Sequence, residues 1–482
     1  MKYILALLSI ISSIPSLSAQ SPLTLQDCIA LARQQGPGHF VDRWALERSQ
    51  LSLRQARAPF QINADVDLTM PTYNEFSGTR ESLALTSRFR TEDIDFSYSG
   101  DLNISQRVPH VGRFTLTTQA ERRNFLSNRS TNFVDYRGDL ILNYSHQILT
   151  QPGDEINLKN AELGYANARS TFRRSELTLE SEVVETYYNL VQGIRQLTIV
   201  EQRREQSKAS FELTQRKFEI GLVPETQALS LKVDLLVADA EYDRAKTDIE
   251  RRRDQLRNLL GMDLDEALEI DTEVDDKRYA ISQDRAIAAA LKHRLDLQEA
   301  EISEEINALD LKQTKQRNGP TATVNASVGL RGQGDEIGEV GSTFERNRWN
   351  VGIQVQMPLI DGGNRQAQIG RAQIALEQAK HSRKTLRRNV ILNVKNALRN
   401  LGEAERQIEL NGQRLEVAER NYDLERSRFD LGFAESQQLL EAQASLTSAS
   451  INALDAVITY QRELKNLRLA TMADFDELVE GD

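Results

Sequence analysis

Two long segments, residues 154–219 and 364–430, carry apolar residues at helical spacing, and each predicts one helix of about 65 residues. At 1.5 Å per residue, such a helix is about 100 Å long. In both segments apolar residues recur every seven positions, as in helices that pack along a neighbour, although the stripe alone also fits an ordinary two-helix core. The series are Val394, Leu401, Ile408, Leu415, Tyr422 and Phe429 in one segment, and Val183, Leu190, Leu197, Phe211 and Phe218 in the other, which Arg204 interrupts.

Both long helices are predicted to end at a glycine, Gly221 or Gly432. Glycine suits the left-handed conformation that commonly ends a helix. A further helix follows each glycine, and these two helices are predicted to start after Pro224 and near Ser436 and to end at about Met262 and Met472. Each half of the chain therefore predicts an antiparallel helical hairpin.

The chain is built as two copies of one plan. Phe218–Leu222 recurs as Phe429–Phe433, at an offset of 429 − 218 = 211, and Leu149 corresponds to Leu359 at 359 − 149 = 210. Cys28 corresponds to Ile287, at 287 − 28 = 259. The first copy therefore contains about 259 − 210 = 49 additional residues, and they lie in its strand region. The sequence leaves open whether they form a hairpin or longer loops.

Residues with alternating apolar and polar character lie between the first helix of each copy and its long helix. The first helices are predicted at 24–57 and 281–317, and the strands at 61–70, 94–106, 113–121, 138–149, 320–332 and 348–360. Strands of about ten residues separated by turns are a weak signature of an outer-membrane barrel, and a soluble sandwich also fits this region. The fold class predicted is mainly α, with a β-barrel portion and duplicated helix, strand and long-hairpin units.

The N-terminus has the features of a secretory signal peptide, with Lys2, an apolar run and small residues before position 20. We therefore expect the mature chain to be exported. The expected organisation is a signal peptide (1–20), a first repeat (21–262, with β segment 60–150 and hairpin 154–262), an acidic linker (263–280), a second repeat (281–472, with β segment 320–360 and hairpin 364–472) and a tail (473–482).

Composition argues against several classes of protein. A net charge of −11 disfavours nucleic acid as a partner, because phosphate binding calls for a basic surface. The five histidines are scattered, and the acidic residues of the linker lack the spacing of a calcium-binding loop, so no metal or cofactor is predicted. The single cysteine, Cys28, is expected to be a small residue in a helix. Phosphate-loop and nucleophile-elbow motifs are missing too, and we expect the protein not to be an enzyme.

Several motifs, duplicated and in this order, resemble the TolC-like outer-membrane efflux family over essentially the whole mature chain. They are Leu23–Ala32, the strand exit Met357–Gly363, and the two helix turns, of which Gly432–Gln443 is the most similar. The resemblance implies a homotrimer whose three chains build one barrel in outer-membrane lipid and one helical tunnel across the periplasm. It also implies that a periplasmic adaptor and an inner-membrane transporter are partners.

The resemblance places adaptor docking at the helix turns, and the residues concerned are Gly221, Leu222, Val223, Gly432, Phe433 and Ala434. Family members often have an acidic residue at the seventh position of this motif, whereas this chain has Gln227 and Gln438. The candidate constriction residues are therefore Gln227, Gln438 and Glu441, with Glu225 and Glu435 as other possible sources of charge. Family members usually have two strands per copy, and the additional 49 residues make the strand region of the first copy longer than that plan requires.

The sequence thus predicts the outer-membrane component of a tripartite efflux or type I secretion system, which acts as a passive exit duct. A periplasmic coiled-coil scaffold without a pore is the main alternative. An exported hydrolase is a weaker one, since it rests only on scattered carboxylates such as Asp93 and Asp95.

Overall fold

The structure is a computed structural model that describes residues 22–81, 88–128, 130–274, 277–357, 359–473 and 475–478. The predicted signal peptide lies outside these residues. The helices are α1 (Leu25–Gln35), α2 (Pro37–Arg57), α3 (Gly153–Glu219), α4 (Glu225–Leu260), α5 (Gln283–His293), α6 (Leu295–Arg317), α7 (Ile337–Val340), α8 (Asn364–Asp430), α9 (Ser436–Thr471) and α10 (Phe475–Leu478). The strands are β1 (Asn63–Glu81), β2 (Arg88–Val108), β3 (Gly112–Ser127), β4 (Phe133–Gln147), β5 (Thr321–Gly334) and β6 (Glu345–Gln356).

The two copies contain helices of matching length. Helices α1 and α5 have 11 residues each, α3 and α8 have 67 each, and α4 and α9 have 36 each. The long helices coincide with the predicted segments almost to the residue. A mainly α fold with duplicated helix, strand and hairpin units is therefore confirmed.

The first helix of each copy is broken into two, where the sequence predicts one. In the first copy the break falls at Gly36, whose backbone is extended, because the ring of Pro37 disfavours a helical conformation in the residue before it. In the second copy it falls at Arg294, which is also extended. No proline lies there, and the guanidinium of Arg294 instead binds the carboxylate of Asp296 at 2.5 Å and the carbonyl of Ala470 at 3.1 Å.

Within the described residues, six strands form one antiparallel sheet in chain order, β1 to β6. The first copy contributes four strands and the second copy two, so the additional residues of the first copy form an extra hairpin. The strands extend further than predicted, and β1 continues to Glu81 past an irregularity between Thr69 and Thr72, at Pro71. A proline without an N–H group is tolerated there because the irregularity interrupts the regular pairing of β1 with β2.

The chain divides into two compact units. One comprises the described residues up to Ala45, Arg169–Glu299, and those from Lys384 onward; the other comprises Leu46–Ala168 and Ala300–Arg383. The first, the helical unit, contains the hairpin turns. The second, the sheet unit, contains the whole sheet.

The linker between the copies is partly built into the core of the helical unit. Ile270 pairs with Leu23 as a parallel bridge, and both Leu268 and Ile270 are buried. The hydroxyl of Tyr187 donates to the carbonyl of Asp271 at 2.6 Å. The acidic residues of this segment suggest a solvated linker, but its alternate apolar side chains anchor it beside α3.

Among the described residues, no helix is both long enough and apolar enough to cross a membrane.

Candidate functional site

The two helix turns predicted as docking tips have nearly the same backbone geometry. Gly221 and Gly432 have φ angles of 74° and 82°, in the left-handed region. The amide of Leu222 donates to Lys217 O at 2.8 Å, and the amide of Phe433 donates to Arg428 O at 2.8 Å. These bonds satisfy carbonyls that the end of a helix leaves free. The predicted helix ends are thus found at both glycines.

The turns present apolar side chains to solvent. Leu222 is 70% exposed and Phe433 is 75% exposed, while Val223 and Ala434 are half-buried. An exposed aromatic side chain beside exposed aliphatic ones is unusual on a monomer surface unless a partner covers it. A docking role for these residues stays a prediction.

The two turns of one chain are tied together by Lys217. Its ammonium lies 3.1 Å from the carbonyl oxygen of Phe429 and 3.3 Å from that of Asp430, the last residues of α8. It also lies 5.1 Å from the centre of the Phe429 ring. A cation at the C-terminal end of a helix is stabilised by the helix dipole.

The candidate constriction residues lie in the first turn of α4 and the first two turns of α9. Gln438 belongs to a capping box, in which its side-chain oxygen accepts from the Glu435 amide at 3.3 Å and the Glu435 carboxylate accepts from the Gln438 amide. Glu441 is exposed and accepts a hydrogen bond from Gln437 at 2.8 Å, and Gln227 is half-buried. Their role in a constriction remains a prediction.

Behind the turns, a buried polar cluster joins α3, α4 and α9. The hydroxyl of Ser207 donates to Asp234 at 2.5 Å, and the amide nitrogen of Gln443 donates to the Ser207 hydroxyl at 2.9 Å. Arg203 binds both Asp234, at 3.2 Å, and Glu241. Ser207 and Gln443 are almost completely buried. Because an unpaired polar group is costly in such a place, the cluster fixes how the three helices align.

Sequence reasoning missed this cluster, although it noted the interruption of the heptad at Arg204. Arg204 is turned towards α4, where it binds Asp239 at 2.7 Å and stacks 4.9 Å from the centre of the Tyr242 ring. The arginine at position 204, within an otherwise apolar heptad series, was therefore the feature of the sequence that could have predicted polar contacts between α3 and α4.

Two apolar stripes of the helical unit are uncovered in the single chain. On α8 the stripe lies two positions after the buried heptad series, and on α4 it follows helical spacing. The exposed residues are Leu410, Val417 and Leu424 on α8 and Leu431 directly after its end, and Leu229, Val233 and Leu236 on α4. Stripes of this kind need a second helix surface to cover them.

The sheet has one apolar face and one polar face. Cross-strand partners share a face, so each row across the sheet lies wholly on one face. One row is apolar in all six strands and contains Ala64, Ile104, Leu116, Leu142, Val328 and Trp349. The adjacent row lies on the opposite face and contains Asp65, Asn103, Thr117, Ile141, Gly329 and Arg348.

Ion pairs between strands stabilise the polar face. Arg123 binds Asp95 at 2.7 Å, and Arg331 binds Asp139 at 2.7 Å. Asp139 is buried to more than nine-tenths, and its pairing with Arg331 provides the partner that a buried carboxylate requires. This face is therefore suited to water, whereas the opposite face is suited to an apolar environment.

Aromatic side chains bound the apolar face at two levels. Phe114 and Tyr144 pair at one level with ring centres 5.1 Å apart, and Tyr98 and Tyr136 lie at the other, each 5.8 Å from the guanidinium carbon of Arg122. The two levels are 144 − 136 = 8 residues apart on β4. That is about 27 Å along a strand, or about 20 Å after a typical tilt. The lipid-facing band between aromatic girdles is about 25 Å tall in outer-membrane barrels, which is close to this spacing.

Comparison with known proteins agrees with this geometry. TolC of Escherichia coli is 21% identical over 309 residues, which cover 62% of this chain and 62% of TolC, so the match spans less than two thirds of that protein. The solved structure of VceC, an outer membrane protein of Vibrio cholerae, has a TM-score of 0.71, 16% identity, and coverage of 94% of this chain and 96% of VceC. The CmeC outer membrane channel of Campylobacter jejuni has a TM-score of 0.70 at 14% identity, covering 93% of this chain and 85% of CmeC.

The chain belongs to the outer membrane efflux protein family, whose model matches residues 152–262 and 286–472. The family predicted from the helix turns and strand exits is confirmed, and with it an outer-membrane location. Members of this family are channels rather than enzymes, and the scaffold alternative is not favoured.

Proposed function

We propose that three copies of this chain form a passive exit duct, with one β-barrel in the outer membrane and one helical tunnel in the periplasm. The observation that carries the proposal is the two-faced sheet. Its apolar face, bounded by aromatic levels, suits lipid, and its ion-paired face suits a water-filled lumen.

The uncovered stripes support the trimer. Val417 and Leu424 on α8 and Val233 on α4 are apolar, exposed and periodic, so a neighbouring copy that covers them removes apolar surface from water. In a closed cyclic assembly every copy uses the same pair of surfaces, and no stripe remains exposed.

The helix turns are the surface that we assign to the periplasmic adaptor. Leu222 and Phe433 are exposed on adjacent turns, which Lys217 holds side by side. The duct itself supplies a path and no energy, so an inner-membrane transporter drives export. Gln227, Gln438 and Glu441, at the start of α4 and α9, are the proposed constriction, which is polar and less acidic than is usual in the family.

Fractionation and cross-linking test this proposal in cells that produce the full chain. We expect the protein in the outer-membrane fraction, as a trimer that separates into monomers on heating in detergent. A photo-reactive amino acid at Leu222 or Phe433 is expected to cross-link to a periplasmic adaptor, whereas the same group at the exposed Leu392, far along α8, is not. Recovery as a soluble periplasmic monomer would overturn the proposal.

A further inference from the structure

The extra hairpin of the first copy is continuous with the rest of the sheet. β1 pairs with β2 from Asn63 opposite Ser105 to Glu81 opposite Arg88, and β2 pairs with β3 over 16 consecutive residues, Asp93 to Val108. The hairpin therefore does not project from the sheet as a separate arm. Where β1, β2 and β3 run side by side, they are paired by backbone hydrogen bonds as continuously as the other strands of the sheet.

The hairpin also lies within the levels that the other strands span. Asn63 lies in one cross-strand row with Ser105, Thr115, Asn143, Ser327 and Asn350. The apolar row that starts at Ala64 and the polar row that starts at Asp65 both continue to β6. The hairpin thus has the same two faces, at the same height, as the strands that follow the usual plan.

The sheet has two open edges that are complementary in direction. In the described part of the chain β1 has only β2 as a neighbour, and β6 has only β5. Because the six strands alternate in direction, β6 of one copy runs antiparallel to β1 of the next copy, as hydrogen bonding in a barrel wall requires. Unpaired strand edges invite such pairing, and closure removes them.

The side chains on these edges match as well. On the apolar face β1 presents Val66, which is 64% exposed, and β6 presents Ile353, which is 65% exposed. On the polar face β1 carries Asp65 and Asp67, whereas β6 carries both Arg348 and Glu345. A β6–β1 joint between copies would continue the apolar and the polar face from one copy to the next.

Resting on the trimer proposed above, we propose that each copy contributes all six strands to the barrel wall, and that the barrel closes through pairing of β6 with β1 of the neighbouring copy. Three copies of six strands give a barrel of 18 strands. The usual family plan of two strands per repeat gives 12. Since barrel diameter grows roughly linearly with strand number, this barrel is about 1.5 times as wide, in the range that leaves an aqueous channel.

Disulfide cross-linking in the full chain tests the joint. Burial raises the pKa of the single native thiol, Cys28, to about 12, so it does not compete. Val66→Cys is combined in turn with Val351→Cys, Ile353→Cys and Val355→Cys, because the stagger between copies is not fixed by one chain. We expect at least one combination to give a covalent trimer that survives heating and is lost on reduction.

Two controls make the outcome decisive. Val66→Cys with Leu140→Cys, on the interior strand β4, is expected to give no cross-linked trimer. Leu116→Cys on β3 combined with the same β6 cysteines reports on a 12-strand wall without the hairpin. Covalent trimers from β3 with none from β1 would overturn the proposal, and so would non-covalent trimers with no β1–β6 product in any combination.

Electron cryo-microscopy of the trimer provides a second readout, with 18 strands expected in cross-section and 12 contradicting the proposal. Loss of the trimer in the unsubstituted protein would be a different result, because it would contradict the proposed duct rather than the number of its strands.

Discussion

The ammonium of Lys217 lies 3.1 Å from the carbonyl oxygen of Phe429 and 5.1 Å from the centre of the phenylalanine ring. Lys217 is near the end of α3 in the first copy, and Phe429 is near the end of α8 in the second. The Lys217 side chain therefore joins the two turns, because its charge is stabilised both by the dipole of α8 and by the face of the Phe429 ring. The turns most suited to docking are held together within a single chain.

We predict that Lys217→Met loosens the second turn. The loss of the charge removes about 1 kcal/mol of local stabilisation, because the helix dipole and the ring each contribute a fraction of that energy. Amide hydrogen exchange at Leu431–Phe433 should become about fivefold faster. Lys208→Met, at an exposed position on the same helix, is the control and should leave the exchange unchanged. Equal rates in the two variants would contradict the assigned contact.

Gly432→Val should destabilise its turn through the backbone alone. At a φ of 82° a β-branched residue is strained by about 1–2 kcal/mol, while the space around the added carbon is open. Gly412 on α8 also has open space but no positive φ, so Gly412→Val is a matched control expected to change little. Trypsin cleavage after Arg428 should be at least fivefold faster in Gly432→Val. Similar cleavage of both variants would show that the turn does not require glycine.

The sheet unit should lose stability in acid through Asp154. Partial burial by itself would raise the pKa of Asp154, but Arg113 and Arg107, each at 2.7 Å, outweigh it and hold that pKa below the usual value. A lowered folded-state pKa means that this stabilisation is present above the unfolded value of about 3.9 and is lost as the pH falls further.

Asp154→Asn should therefore lower the thermal midpoint of the detergent-solubilised protein at pH 7 by about 3 °C. The difference from the unsubstituted protein should shrink as the pH falls below about 3.9 and should vanish once Asp154 is protonated in the folded protein. Glu162→Gln, which changes an exposed carboxyl group on the same helix, is the control. A difference that persists undiminished in acid would show that Asp154 acts by packing and not by its charge.

Val417→Arg and Leu424→Arg should weaken the trimer. Both residues are exposed in one chain, and in a trimer that covers the stripe an arginine there would be buried without a partner. Sedimentation in detergent should show monomers for these variants. Glu419→Arg, on the opposite side of α8, introduces the same charge and should remain trimeric. Trimers of all three variants would show that the stripe is not at the interface.

The long helices could be predicted from the sequence because one physical pattern determines them. Val394, Leu401 and Tyr422 recur at heptad spacing, and all three are buried. Each glycine signalled a helix end that the structure places there. The break at Gly36 could also have been predicted, since Pro37 follows it, whereas the break at Arg294 depends on bonds to Asp296 and to Ala470, which is distant in sequence.

The polar cluster around Ser207 could not be predicted, because its partners lie on three helices. Asp234 and Gln443 are 234 − 207 = 27 and 443 − 207 = 236 residues from Ser207, and nothing in the local pattern links them. The offset between the copies located the additional residues but not their form. Their form depends on the hydrogen-bonded pairing of β1 with β2 and of β2 with β3, which the alternation of apolar and polar residues does not specify.

Single-channel recording in planar lipid bilayers tests the central claim most directly. The mature full-length trimer, purified from outer membranes, should insert and produce discrete current steps of uniform size, because its polar face would line a continuous aqueous path. If trimers that are demonstrably inserted in the bilayer carry no current under any applied voltage, the protein is not a duct and the account is wrong.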